Sequence, residues 1–497
     1  MTEINLFSDQ QKLVNKARAS IGRGCKSLLI QATTGAGKTV MASSMIKGSN
    51  AKGFKTAFCV PRKQLLEQMG KTFRKYDIDY SYVASGEFFD ESSMNHVCSM
   101  QTLVNRLDVI DPRVIYFDET HWGEGQLNKI IKHFKETPWI DPVTKKSHQR
   151  IIIGLSATPW KMNGRGLGCY YDDMVEGESV RWLMDNKRLS DYRLFGVSNP
   201  DLSMIKMVNG EYSQTQLREK MEGDKVLIGD AVSHYKKHAY GKLNVTFCAS
   251  IKHSKMTAEA FNNAGIPAAH MDAETPMHER MRIIKDFALR KLWVICSVDL
   301  LCFGFDLASQ VNMDVTVECL SDLRPTMSLA LQMQKWGRVL RMKDEPALIF
   351  DHAGNSMKFD GTENHGLPCM DRLWTLLDRQ KKSKKDEEEK AETTRRCPDC
   401  FNLHKPQPKC PCCGHIYKIK PMKKLETIDA ELREIEIVKK KRAARIQEGM
   451  CETLEDWKEV AKDRGNSEAW ANIRYKKREE INAKKKLEKL NGQIELI

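Results

Sequence analysis

No apolar run in the sequence approaches the roughly 18–20 residues that a membrane-crossing helix needs. The N-terminal stretch MTEINLFSDQQKLVNKARAS is polar and lacks the apolar block of a secretory signal. A secreted disulfide framework is missing too: of 15 Cys, an odd number, ten are scattered singly between Cys25 and Cys451. These absences exclude membrane and disulfide-scaffold classes and lead to the expectation of a cytoplasmic protein whose isolated thiols are small buried hydrophobes. Acidic excess is also lacking. Lys and Arg total 80 against 66 Asp and Glu, a formal charge of +14. Residues 372–497 hold 32 basic and 23 acidic residues, so +9 of that excess lies in the last quarter. A basic chain points to polyanions, either nucleic acid or an anionic membrane.

The 497 residues allow three or four domains at roughly 100–200 residues each. Short runs apolar on both faces, at 26–32, 55–61, 96–101, 113–119 and 151–157, alternate with helical patterns such as 64–76. That is how strands of a buried parallel sheet read. A second set follows at 243–250, 267–271, 292–298, 312–319 and 347–352, after a less regular segment at about 160–240. The expectation is two α/β units, each a doubly wound sheet. Beyond them, RQKKSKKDEEEKAETTRR (379–396) is almost wholly charged and reads as solvated.

ATTGAGKT, Ala32 to Thr39, lies between a buried strand and a helical stretch. Its glycines let backbone N–H groups turn around phosphate oxygens, with Thr34, Gly35, Ala36 and Gly37 forming the cradle. Lys38 would meet the β- and γ-phosphates, and Thr39 would offer a hydroxyl to Mg²⁺. Eighty residues after Lys38, RVIYFDETH ends another buried strand. Asp118 there would hold Mg²⁺, while Glu119 would orient or deprotonate an attacking water.

Together these two boxes resemble superfamily 2 helicases of the DEAH/DExH type, and further motifs of that family occur in order. Gln10 resembles the adenine-reading glutamine, although Ser8 and Asp9 replace the usual aromatic and proline before it. Pro61 and Arg62, then Gln101 and Thr102, resemble strand-binding motifs, and Ser156–Ala157–Thr158 resembles the motif coupling hydrolysis to strand binding. In the second half, Phe247, Ala249 and Ser250 resemble the fourth motif, with Ser250 a nucleic-acid contact. Gly304 and Asp306 in FGFD resemble the fifth, at the nucleotide. QKWGRVLR resembles the sixth, with Gln334, Gly337, Arg338 and Arg341. The resemblance implies catalytic roles for Lys38, Asp118, Glu119, His121, Gln334, Arg338 and Arg341. It also implies ATP and Mg²⁺ as cofactors, and two RecA-like parallel-sheet domains in tandem, at 1–185 and 186–370. SATPWKMNGRG (156–166), LRPTMSLALQMQKWGRVLR (323–341) and DHAGN (351–355) are most similar to RadD-like DNA repair helicases and their phage-encoded relatives. This implies DNA as partner, single-stranded, forked or branched, with single-strand-binding or recombination proteins as further partners and a bacterial or phage-infected host. An RNA helicase, a non-unwinding nucleic-acid-stimulated ATPase, and a DNA-binding scaffold switched by ATP are the competing functions.

A charged linker (371–395) leads to CPDC (397–400) and CPCCG (410–414), two Cys-x-x-Cys pairs nine residues apart. Cys397, Cys400, Cys410 and Cys413 have the ligand spacing of a small structural zinc ribbon, 396–417, holding Zn²⁺. A basic helical tail, 418–497, completes the chain. In it, Leu425 to Val438 recur at helical steps, and Trp457, Trp470 and Tyr475 stand among basic residues, suited either to base stacking or to the core of a small helical module.

Overall fold

The computed structural model describes residues 4–161, 163–196, 202, 204–208, 211–298, 300–302, 307–311, 313–357, 364–378, 394–417, 451, 453–463, 467–468, 471–476 and 478–479. Residues to Tyr417 form one compact unit, and those from Lys418 form another.

The first sheet has seven strands: β1 (Ser27–Gln31), β2 (Thr56–Val60), β3 (Ser81–Val83), β4 (Asn95–Ser99), β5 (Val114–Phe117), β6 (Ile151–Ser156) and β7 (Asp173–Glu176). All pairings are parallel, in the order β3-β4-β2-β5-β6-β1-β7. Successive side chains point to opposite faces, and both faces are apolar. Leu28, Ile30, Phe58, Val60, Tyr116 and Ile153 join one core cluster, which includes Leu13 and Ala17 of helix α1 (Ser8–Gly22), Met41 of α2 (Lys38–Asn50) and Phe73 of α3 (Lys63–Lys75). Leu29, Ala57, Cys59, Phe117 and Ile152 join another cluster, covered by Ile130 and Phe134 of α4 (Glu124–Glu136). Helices on both faces leave only the strand ends open. The phosphate loop, the Asp118–His121 turn and the Ser156–Thr158 loop all emerge at the C-terminal edge, where open α/β sheets bind ligands.

The second sheet has eight strands: β8 (Tyr192–Gly196), β9 (Asn244–Phe247), β10 (Ala268–His270), β11 (Val294–Ser297), β12 (Cys319–Asp322), β13 (Ala347–Asp351), β14 (Arg395–Arg396) and β15 (Asn402–His404), in the order β10-β11-β9-β12-β13-β8-β15-β14. The first six pair parallel. The tandem parallel sheets are as expected, with one local correction. The run 312–319 does not form the fourth strand; the strand is Cys319–Asp322. Val315 and Val317 are buried without joining the sheet. The segment at 160–240 also contributes β7 and β8, one to each sheet.

Two later segments are built into these domains. Residues 364–378 return from the second sheet to the first. Trp374 packs on Trp160 with ring centroids 5.1 Å apart, and the Trp160 indole donates to the Leu377 carbonyl at 3.0 Å. The Gly168 amide donates to the Leu376 carbonyl at 2.9 Å. Gly166 lies so close that a Cβ there would collide with that same carbonyl oxygen. The first residues of the expected charged linker therefore form a strap over the loop that follows Ser156–Thr158. Trp374→Ala should remove about 1–3 kcal/mol of stability by deleting a half-buried aromatic pair, seen as a lower urea midpoint.

The Cys-rich segment is also built into the second domain. β15 pairs antiparallel with β8 (Leu194 with Leu403, Phe195 with Asn402), and the Asn402 amide donates to the Leu194 carbonyl at 3.3 Å.

In the second unit, helix α8 (Leu454–Asp463) buries Trp457, Val460 and Ala461 with Cys451 and Ala471, and Tyr475 packs against them. Trp457 is thus a core residue of a small helical module rather than a stacking platform. Trp470 and the Leu425–Val438 stretch lie outside the described residues.

Candidate active site

The phosphate loop links β1 to α2, with Gly35 and Gly37 in the left-handed region at φ +89° and +84°. Gly37 is needed for space as well, because a Cβ would collide with the Gln10 amide. Gln10 is buried. Its Nε2 donates to the Ala36 carbonyl at 2.8 Å, and its Oε1 accepts from the Phe7 amide at 3.1 Å. It therefore braces the loop against the start of α1. Lys38 Nζ lies 3.3 Å from the Ala32 carbonyl and 3.9 Å from Glu119 Oε1.

Asp118 and Glu119 leave the end of β5, with Glu119 in the left-handed region at φ +44°. Burial, with Glu119 next to it, pushes the Asp118 carboxyl up to about 7. Such a group gains from a nearby cation. Asp118 and the Thr39 side chain line the same cleft as Lys38, a donor set of hard oxygens that fits Mg²⁺. Burial also raises Glu119, but the charges of Lys38 and Arg338 act against it, and the carboxyl is held below its usual range. Its Oε2 is buried and accepts no hydrogen bond among the described residues.

His121 connects the two sheets. Its Nδ1 lies 3.0 Å from Ser156 Oγ and its Nε2 lies 3.2 Å from Gln334 Nε2. The Ser156 hydroxyl donates to the Thr158 carbonyl at 2.6 Å, so it accepts from the ring. The proton is thereby placed on Nδ1, and Nε2 accepts from Gln334. Burial pulls the imidazole down to about 4, so it is neutral near pH 7.

Gln334, Gly337 and Arg338 lie on helix α7 (Leu329–Val339), every residue of which is buried. Gly337 touches the phosphate loop, where a Cβ would collide with Thr34. On another face, Lys335 and Asp322 form a fully buried ion pair, both Nζ–Oδ distances being 2.7 Å. Asp322 also accepts from Gln332 and Asn355. At the N-terminal end, Glu211 accepts from the Met327 and Ser328 amides at 2.8 and 3.2 Å. Sequence reasoning missed Asp322, Lys335 and Glu211. Asp322, an acid ending a buried strand as Asp118 does, had a visible signal; Glu211 had none.

A cleft of about 770 Å³ gathers these groups. Thr34, Gly35, Gly37, Lys38, Thr39, Asp118 and Glu119 line one side, and Gln334, Arg338 and Arg341 line the other. Phe7, with the Arg188 guanidinium 3.1 Å from its ring centroid, forms part of the rim. Of the expected nucleotide-site residues, Gly304 and Asp306 lie outside the described residues.

The residues expected to contact a strand lie just after strand ends. Pro61 and Arg62 follow β2, where the Arg62 guanidinium sits 5.2 Å from the centre of the Trp122 ring. Gln101 and Thr102 follow β4, Gln101 exposed and Thr102 half-buried. Ser250 follows β9 but is buried, its hydroxyl engaged by Glu222.

The four Cys side chains of the two knuckles place their sulfurs within 4.8 Å of one another. Cys397 and Cys413 are 3.5 Å apart, and Cys400 and Cys410 3.7 Å. These distances are too long for disulfides and match the edge of about 3.8 Å expected of a tetrahedron with Zn–S near 2.3 Å. Burial raises the Cys397 thiol, but backbone amides of Cys400 and Asp399 reverse this and bring it down to about 6. The set fits one structural zinc ion. Purified protein should carry about one zinc per chain, measured by plasma emission. Its removal should destabilise the second domain as well as the ribbon, because β15 is hydrogen-bonded to β8.

Residues 3–161 match the family model for the res subunit of type III restriction enzymes, and residues 226–343 match the helicase conserved C-terminal domain. The chain is 32% identical over 412 residues to a 51.5 kDa protein of a Lactococcus phage (isolate 7-9), covering 82% of each. It is 26% identical over 350 residues to the putative ATP-dependent helicase IRC3 of Saccharomyces cerevisiae, covering 67% of this chain but 49% of that protein. A fragment of a putative HsdR subunit of a type I restriction enzyme from Vibrio vulnificus is similar in fold, with a TM-score of 0.50 and 18% identity, over 71% of this chain and 66% of that one. The chain belongs to the superfamily 2 helicases and is an ATP-hydrolysing enzyme that acts on nucleic acid.

Proposed function

We propose that the protein is a DNA helicase or translocase that works on forked or branched DNA in repair, recombination or replication. The observation that carries the motor reading is the convergence of Lys38, Glu119 and His121 from one sheet with Gln334 and Arg338 from the other around a single cleft. DNA is favoured by the restriction-enzyme family model over residues 3–161 and by the resemblance to RadD-like helicases.

Each residue has a part in this reading. The loop amides and Lys38 hold the phosphates of ATP. Thr39 and Asp118 would hold Mg²⁺, which would supply positive charge at the phosphate oxygens. Glu119 is held ionised and is therefore a weak base. Its Oε2, 3.5 Å from His121 Nδ1, would accept a hydrogen bond from the attacking water and orient it. Arg338 and Arg341 meet the charge that develops on the transferring phosphoryl group. His121 carries the state of this site to Ser156 on one side and Gln334 on the other. Hydrolysis therefore loosens the contact between the domains, and strand contacts at both sheet edges shift with it.

ATPase rate measured with single-stranded, duplex and forked DNA and with RNA tests this. Forked DNA should stimulate most. Equal or greater stimulation by RNA would favour an RNA helicase, and no stimulation by any of them would remove the motor.

A further inference from the structure

The N-terminal end of helix α6 (Ile251–Asn263) has the makings of an anion site, and an acidic side chain fills it. Glu222 comes from α5 (Gln214–Gly223), which packs against α6. The Ser250 hydroxyl donates to Glu222 Oε1 at 2.5 Å while its oxygen accepts from the His253 amide at 3.0 Å. Lys252 Nζ lies 3.3 Å from Glu222 Oε2. His253 is fully buried. Its Nδ1 accepts from the Ala249 amide at 3.3 Å, which leaves the ring proton on Nε2, and that N–H has no hydrogen-bond acceptor among the described residues. A hydroxyl, an ammonium and a helix N-terminus are what a phosphate oxygen would require.

We propose that Glu222 is an internal competitor for the strand: its carboxylate occupies a phosphate position at Ser250 and Lys252, and the DNA backbone must displace it to engage the second domain. The proposal rests on the DNA-motor reading and adds to it a residue that sets strand affinity. The Ser250–Glu222 contact explains why a residue expected to touch nucleic acid is buried. It also gives the second domain a weak grip until the strand replaces the carboxylate. An internal anion of this kind lowers affinity without contributing a contact to the strand, so removing its charge should strengthen binding, a result that damage to the fold does not produce.

The test is fluorescence anisotropy of a fluorescein-labelled single-stranded DNA oligonucleotide with the full-length chain and its Glu222→Gln and Ser250→Ala variants. Gln retains an acceptor for the Ser250 hydroxyl and removes only the charge. Glu222→Gln should bind roughly threefold to tenfold more tightly. Its log–log salt slope should steepen by about 0.7, as Lys252 becomes available to one more phosphate. Ser250→Ala should bind more weakly than wild type. Unchanged or weaker binding by Glu222→Gln overturns the proposal. A lower melting temperature with unchanged affinity does the same and assigns Glu222 to capping α6. Unaltered affinity in both variants places α6 off the strand path and overturns it too. In all these cases wild-type binding leaves the motor reading standing, whereas no binding by wild type or variants to DNA removes both.

Discussion

Lys38→Ala should lower kcat/KM for ATP by about 10³-fold or more while the fold persists. The ammonium is the positive charge deepest in the phosphate loop, near both the Ala32 carbonyl and Glu119. Removing it takes away a charge for the β- and γ-phosphates and also raises the Glu119 carboxyl, since Lys38 is the largest influence holding that group down. Glu119 keeps His121 and Arg338 nearby, and β1 and α2 retain their apolar packing. Circular dichroism should therefore match wild type while hydrolysis, followed by phosphate release, is lost. Hydrolysis at the wild-type rate would show that Lys38 holds no phosphate.

The phosphate loop and the cysteine knuckles were legible because each is local: a buried strand, glycines and Gly-Lys-Thr in one case, two short Cys-x-x-Cys turns in the other. The alternation of apolar runs gave both sheets for the same reason, since a strand covered on both faces must be apolar throughout. It misplaced one strand. In NMDVTVEC the valines alternate and are buried, but hydrogen-bonded partners at Asn244 and Leu348 select Cys319 onward as the strand. Pattern records burial and leaves pairing open.

What stayed hidden depends on long-range contacts. Joining Leu194 to Leu403 turns the ribbon into the edge of the second sheet, and nothing near either residue signals the other. The strap of Trp374 and Leu376 over Gly166 and Gly168 is equally silent, because a glycine admitted for close backbone approach looks in sequence like any loop glycine. Glu211 and Glu222 stand in a segment without a periodic pattern. Their roles follow from the helix ends they reach, those of α7 and α6. Gln10 sits on the phosphate loop even though Ser8 and Asp9 depart from the family pattern. The contact that matters for its place is to Ala36 and not to its sequence neighbours.

Arg338→Ala should reduce kcat by about a thousandfold with a much smaller change in KM for ATP, because the guanidinium acts on charge that develops during phosphoryl transfer. The geometry explains why the effect should be so concentrated. Gln334 and Arg338, four residues apart, share one face of α7; Arg341 follows just beyond its end, and all three line the cleft. Lys335 and Gln332 lie on another face and are tied to Asp322. Glu211 holds the helix start, while Gly337 lets the helix close onto Thr34. The helix is therefore fixed from behind and at its start, and Arg338 needs little reorganisation when the cleft closes, the condition under which an electrostatic group contributes most. Arg338→Lys keeps a charge but loses the planar fork and should recover only part of the rate. Single-turnover hydrolysis with saturating ATP separates this from a binding defect. A variant with normal kcat and a raised KM would make Arg338 a ground-state contact instead. A stronger version of the test adds Gln334→Ala: Gln334 donates to the His121 ring, so its loss should weaken the dependence of hydrolysis on DNA more than the basal rate. Arg338→Ala should depress both together, because the same charge is stabilised in either case.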